Sequence, residues 1–234
     1  MNLIMKLYDI LKFIGRTVLD VFFPKRCVLC NSFVNFGKSI SLCTDCKNRL
    51  ADHGMVFVNN DKYYEEAICA LEYENCTKDA MTDFKFRNLC YLSKTFAYVL
   101  YNKVKNRNFL KDISFVCPVP LHPSRMRDYN QSALIAKDFS DYSSIPLIDD
   151  VLIKIKDITP LSKMTYPQRN YMIKSAFALN PIYDISGKTV CLIDDIYTTS
   201  ATANECARVL RQNGAKRVYV LCACYTPDKK KGEN

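Results

Sequence analysis

Residues Val190–Thr202 read VCLIDDIYTTSAT, an apolar run followed by two adjacent carboxylates and a turn rich in hydroxyls. Side by side, Asp194 and Asp195 can accept hydrogen bonds from the vicinal hydroxyls of a ribose. Past them, Thr198, Thr199, Ser200 and Thr202 offer hydroxyls, and the backbone N–H groups of 196–202 lead into a helix expected from about Ala203. A helix start carries partial positive charge and unpaired N–H donors, so it favours a phosphate dianion. Together the stretch fits a ribose 5-phosphate lying across one strand end. The same residues also describe a solvated turn with an acidic strand end and a threonine cap.

A second group is Cys27-x2-Cys30 and Cys43-x2-Cys46, two thiolate pairs separated by twelve residues. Each pair can clip two corners of a tetrahedral ion. Zinc is the expected metal, because four sulfurs close its coordination shell and leave no position for a reacting water. Such a knuckle buries little apolar area, so metal binding supplies much of its folding free energy. The remaining cysteines read as small buried hydrophobes, Cys117, Cys191 and Cys222 in or beside apolar strands and Cys206 within a helix. With His53 and His122 as the only histidines, a Ser/His/Asp or Cys/His system has little to draw on.

These groups need elements to hold them. The β-branched, apolar 190–193 reads as a buried parallel strand ending where Asp194 begins, at the carboxyl edge where open α/β sheets bind ligands. A helix from about Ala203 to Asn213 closes on Gly214, and a strand at Val218–Cys222 completes a parallel crossover. Upstream, 56–58 and Ala67–Tyr73 have strand content, and 77–105 carries helical spacing interrupted near Arg87 and Asn88. A strand at Ile113–Val116 runs into a proline-shaped loop and a helix from about Arg125 to Phe139. An extended stretch at Val151–Ile155 precedes a polar loop over 156–170. At the N-terminus, Leu3, Leu7, Ile10, Leu11, Ile14, Val18 and Phe22 recur at helical spacing, so 1–24 forms an amphipathic helix. The expected units are that helix, a zinc module over 25–55 and an α/β domain over 56–234.

The chain has 234 residues, 49% of them hydrophobic, which suits one sizeable α/β domain with a small appendage. Its formal charge of +9 favours anionic partners without choosing among them, and part of it lies in the tail at 229–231. Charged residues break the N-terminal apolar run, which excludes a signal-peptide core or a membrane span. Twelve cysteines without a secretion signal imply a reducing compartment, so the protein is expected to be cytoplasmic.

LIDDIYTTSAT resembles the phosphoribosyl pyrophosphate (PRPP) signature of type I phosphoribosyltransferases. With the four-cysteine knuckle and PVPLHPSRMRDYNQSALIA, nearly the whole chain resembles the ComF family of competence-associated phosphoribosyltransferases. The resemblance implies a type I phosphoribosyltransferase-like twisted parallel sheet flanked by helices. It implies PRPP held by Asp194, Asp195, Tyr197, Thr198, Thr199, Ser200, Ala201 and Thr202, with Asp194 and Asp195 catalytic. Pyrophosphate would be met by Mg2+ and by Arg125, Arg127 and Arg169, and displaced from PRPP without a covalent protein nucleophile. A role in natural transformation is also implied, with single-stranded DNA and a helicase-like competence protein as partners. The chain departs from the family pattern at Ser200, where relatives have Gly, at Asp128 with Tyr129, where a Gly-aromatic pair precedes Asn130, and at Leu161, where a Gln is common. Those departures motivate the alternative of a non-catalytic single-stranded DNA-binding or adaptor protein that keeps the fold.

Overall fold

The computed structural model describes residues 24–34, 38–58, 61–121, 129–156 and 173–227. The amphipathic helix expected over 1–24 therefore lies outside the described residues up to 23. So do His122, Arg125, Arg127, Asp128, Leu161, Arg169 and the basic tail.

Helix α1 (Thr44–Asn48) follows the first cysteine pair, and the chain then forms β1 (Met55–Phe57) and β2 (Ala67–Glu72). Two helices come next, α2 (Asn75–Phe86) and α3 (Leu92–Val104), broken at 87–91 as their spacing predicts. Strand β3 (Phe115–Pro118) and helix α4 (Gln131–Ser143) form the βα unit around the proline loop. β4 (Leu152–Lys154) and β5 (Phe177–Leu179) make a separate antiparallel pair. The chain closes with β6 (Thr189–Tyr197), α5 (Ala201–Gln212) and β7 (Arg217–Tyr225).

The main sheet has the order β1-β2-β7-β6-β3, and all its neighbours are parallel except β1 with β2. This is the α/β class that the sequence predicts. Because alternate strand residues face opposite sides, β6 sends Cys191 and Ile193 into one core and Val190 and Leu192 into the other. The first core is roofed by α2, α3 and α4 with Phe84, Phe96, Leu100, Ile135 and Phe139, the second by α5 with Cys206, Ala207 and Leu210. A strand buried on both faces needs a continuous apolar run, as in VCLI and VYVLCACY.

Two expectations need correction. Strand β6 does not stop at Ile193, because its ladder with β7 continues through Asp194↔Cys222 and Ile196↔Cys224 to Tyr197↔Tyr225. The signature carboxylates thus stand on strand backbone, which fixes them more firmly than a turn would. Nor are all the cysteines outside the knuckle buried: Cys76 is partly exposed and Cys90 exposed, each beside a helix start, where no sheet covers it. The stop of α5 agrees better with the sequence. Gly214 takes φ +94° just past α5, the left-handed backbone a helix stop requires.

Candidate active site and metal centre

The parallel strands aim their carboxyl ends at one edge, and three elements meet Asp194 and Asp195 there. From β6 itself, the Asp195 backbone N–H donates to Asp194 Oδ1 at 2.9 Å. From the start of α4, the Ser132 hydroxyl donates to the same oxygen at 3.0 Å. Ser132 is placed by the cap beneath it: Asn130 Oδ1 accepts from the N–H groups of Ser132 and Ala133, while Asn130 Nδ2 donates to the Val119 carbonyl. That one amide ties the end of β3 to the beginning of α4. From the last turn of α2, Lys85 Nζ lies 2.7 Å from Asp195 Oδ2.

The electrostatics of the pair are unequal. Burial, and after it the neighbouring Asp195 charge, pushes the Asp194 carboxyl up to about 7, against the opposing pull of the Asp195 N–H, Lys85 and the Ser132 hydroxyl. Asp194 therefore changes charge near neutral pH, where a raised carboxyl can alter ligand binding.

The hydroxyl-rich turn runs into Ser200, the residue before α5, whose φ is 59° and ψ −8°. This is left-handed backbone, favourable for Gly and costly for a residue with a Cβ. The hydroxyls of Tyr64 and Tyr197, which bond each other at 2.8 Å, lie near the Ser200 side chain. Phe57 stacks on Tyr197 with ring centroids 4.7 Å apart, and the Tyr63 N–H donates to Asn204 Oδ1 at 2.9 Å. The loop after β1 is thus bonded to the start of α5. Relative to wild type, Ser200→Ala keeps the left-handed backbone and loses the hydroxyl, whereas Ser200→Gly loses the hydroxyl and relieves about 1–2 kcal/mol of backbone cost. Thermal melts should therefore rank Ser200→Ala below Ser200→Gly, by about 1 kcal/mol after the extra unfolded-state freedom of Gly is deducted.

At the other end of the chain the four knuckle sulfurs lie within 4.8 Å of one another, and Cys30 Sγ stands 3.6 Å from Cys43 Sγ. A tetrahedral ion with metal–sulfur bonds of about 2.3 Å needs sulfurs about 3.8 Å apart, so the cluster can hold a metal such as zinc. Cys27 and Cys46 are buried, Cys43 is half-buried and Cys30 faces solvent. The Ser32 hydroxyl, 3.2 Å away, lowers the Cys30 thiol to about 6, whereas burial raises Cys27 and Cys46. Cys43 also caps α1 by accepting from the Cys46 N–H.

Sequence reasoning located Asp194, Asp195, the hydroxyl turn and the four cysteines, and the structure brings each set together. It missed Lys85 and Ser132. Asn130 was visible as a polar residue before a helix, and a cap there places Ser132 in the first turn. Nothing local to Lys85 separates it from a solvated lysine in the last turn of a helix.

No family model matches the chain. Competence protein F of Haemophilus influenzae is 25% identical over 221 residues, covering 85% of this chain and 96% of that protein. Competence protein ComFC of Streptococcus pneumoniae is 29% identical over 148 residues, 62% of each chain. Over much of its length the chain is similar to these competence proteins. DNA utilization protein YhgH of Escherichia coli K12 is 28% identical over 113 residues, and the match spans about half the length of that protein, 49%. Among solved structures, the glutamine PRPP amidotransferase of B. subtilis, complexed with ADP and GMP, is similar with a TM-score of 0.38 and 20% identity, over 56% of this chain and 26% of that one. PRPP synthetase from Mycobacterium smegmatis is similar with a TM-score of 0.32 and 16% identity, over 56% of this chain and 33% of that one. Among the described residues, no helix is long and apolar enough to cross a membrane.

Proposed function

We propose that this protein binds PRPP with Mg2+ and transfers its phosphoribosyl group, releasing pyrophosphate, in the handling of incoming DNA during natural transformation. The observation that carries the reading is the adjacent Asp194 and Asp195 at the carboxyl edge of the sheet, followed directly by a hydroxyl-rich turn at the start of a twelve-residue helix. The carboxylates would accept from the ribose 2- and 3-hydroxyls. The 5-phosphate would lie against the N–H groups and hydroxyls of Thr198, Thr199, Ser200, Ala201 and Thr202. Mg2+ bound to the substrate phosphates would supply neutralising charge for the leaving group. Arg125, Arg127 and Arg169 are assigned to the pyrophosphate end.

In the reaction, the bond from the anomeric carbon to the pyrophosphate oxygen breaks and its electron pair leaves with pyrophosphate. A nucleophilic acceptor forms the new bond to that carbon and gives up its proton. The transition state resembles an oxocarbenium ion, so the protein's part is positioning and electrostatics. Zinc at Cys27, Cys30, Cys43 and Cys46 is assigned a structural role, since four thiolates leave no open position. The names of the relatives, competence protein and DNA utilization protein, support the placement in DNA uptake, with a helicase-like competence protein as partner.

Calorimetry with PRPP and Mg2+ tests binding. Wild type should give a saturable heat, and Asp194→Asn/Asp195→Asn should weaken it by about 100-fold, the loss of two charge-assisted hydrogen bonds. No saturable heat from wild type, or the same heat from the double variant, overturns the reading. Pyrophosphate release across nucleobases, amines and DNA then separates an enzyme from a protein that only binds. The left-handed backbone of Ser200 favours a second reading, a non-catalytic single-stranded DNA-binding adaptor. That reading predicts salt-sensitive DNA binding which survives the double variant.

A further inference from the structure

Lys85 belongs to neither sequence motif, yet among the described residues it is the cation in contact with the carboxylate pair. Its side chain is 15% exposed and that of Asp195 16%, so the 2.7 Å contact is largely withdrawn from water. An ion pair in that setting keeps much of its strength, unlike one on an open surface. The side chain does not drift there by chance. Phe84, the preceding residue, is fully buried against Phe96 and Tyr129 with ring centroids 5.7 Å away in each case, and the Tyr129 hydroxyl donates to the Phe84 carbonyl. The last turn of α2 is thereby anchored to the loop that leads into α4, the element that also supplies Ser132.

Resting on the phosphoribosyl reading above, we propose that Lys85 is a positioning residue for ribose binding: its ammonium holds the Asp195 carboxylate in place as a hydroxyl acceptor and supplies the positive charge beside the pair.

Among the described residues, the surroundings leave this role to Lys85. On β7, Cys222 and Cys224 lie near the pair, and on α5, Cys206; burial raises all three thiols, so they carry no charge near neutral pH. From α4 comes Ser132, which is uncharged. On α2 itself, Asp83 and Arg87 pair with each other at 3.2 Å, and on α5 Glu205 pairs with Arg208 at 2.7 Å. Lys85 also lowers the Asp194 carboxyl, which otherwise would rise further under burial and the Asp195 charge.

The sign of the consequence is fixed. Taking away Lys85 removes a positive neighbour from Asp194, so its protonation moves to higher pH. The test uses the whole protein as wild type, Lys85→Met and Lys85→Arg, with melting curves to confirm that each folds. In the ligand-free protein, carboxyl carbon NMR should show the upper titration of the Asp194–Asp195 pair near 7 in wild type. In Lys85→Met it should move up by at least about one unit, a tenfold change in proton affinity. In Lys85→Arg it should return to within a few tenths of wild type. In parallel, affinity for PRPP with Mg2+ should rise with pH through the same titration, and Lys85→Met should reach a given affinity only about one unit higher. An unchanged titration in folded Lys85→Met overturns the proposal, whatever PRPP does. Absence of PRPP binding by wild type, with the titration shifted as expected, overturns the phosphoribosyl reading instead and leaves Lys85 as the residue that sets the charge of the pair.

Discussion

Stripping the metal with a strong chelator, or replacing Cys46 with serine, is expected to lower the melting temperature of the whole α/β domain by about 6–20 °C. Zinc contributes about 10–16 kcal/mol to small zinc-finger folds near neutral pH. In this protein the knuckle shares its packing with the α/β domain. Val28, Val34, Leu42, Cys46 and Leu50 belong to the same buried cluster as Phe84, Phe96 and Leu100. Two polar ties reinforce that continuity: the Thr77 hydroxyl donates to the Val28 carbonyl at 3.3 Å, and the Ser41 N–H donates to Thr95 Oγ1 at 2.9 Å. When the four sulfurs lose their ion, the buried Cys27 and Cys46 lose what fixes them, and the apolar backing of α2 and α3 opens. About 3–5 kcal/mol lost from the domain corresponds to the stated fall at 2–4 °C per kcal/mol. Calorimetric melts with and without chelator, alongside metal content by mass spectrometry, check this. One equivalent of zinc per chain in wild type, and none in Cys46→Ser, accompanies the expected result; a melt indifferent to chelation contradicts it.

Phe84→Ala is the second large effect, about 3–5 kcal/mol of stability, the usual cost of removing a fully buried aromatic ring. The ring lies between Phe96 of α3 and Tyr129 before α4, so its loss leaves a cavity among three elements that cannot all close on it. Urea unfolding measures the loss, with Phe84→Leu as the milder control at roughly 1–1.5 kcal/mol. The consequence reaches the site through the next residue. With α2 no longer anchored, the Lys85–Asp195 contact loosens, and the carboxylate titration should broaden or rise even where the variant remains folded. A loss below about 1 kcal/mol in Phe84→Ala would show that the neighbouring rings fill the space.

The features that could be read from the sequence were contiguous or strictly spaced. The cysteine knuckle was legible because tetrahedral coordination demands two close pairs, and the structure brings all four sulfurs within 4.8 Å. The β6–α5–β7 crossover was legible because an apolar run, a helix ending at Gly214 and a second apolar run succeed one another. Features that escaped were decided by neighbours distant in sequence. β5 is three residues long and pairs with β4 across the polar segment, too short to announce itself by alternation. The extension of β6 through DDIY depends on β7 continuing beside it to Tyr225, which no property of Asp194 or Asp195 foretells. Lys85 matters only because Phe84 anchors its turn beneath the sheet edge. Ser200 shows the reverse case. Its departure from the family glycine was plain in the sequence, but the two bonded tyrosine hydroxyls near its side chain come from β6 and from a loop more than a hundred residues earlier.

The strand order carries a consequence for how the chain comes to be folded. β2 pairs with β1 only through a short antiparallel edge, and its parallel partner is β7, with Ala67 opposite Val220 and Leu71 opposite Cys224. During synthesis, β2 emerges early with five consecutive residues destined for burial and has to wait for the last strand of the sheet. Sheets assembled from such remote pairings fold slowly and leave apolar edges open to association meanwhile. A ribosome-bound chain halted before β7 should therefore bind a chaperone that a completed chain releases, which makes the final strand the step that commits the chain to its fold.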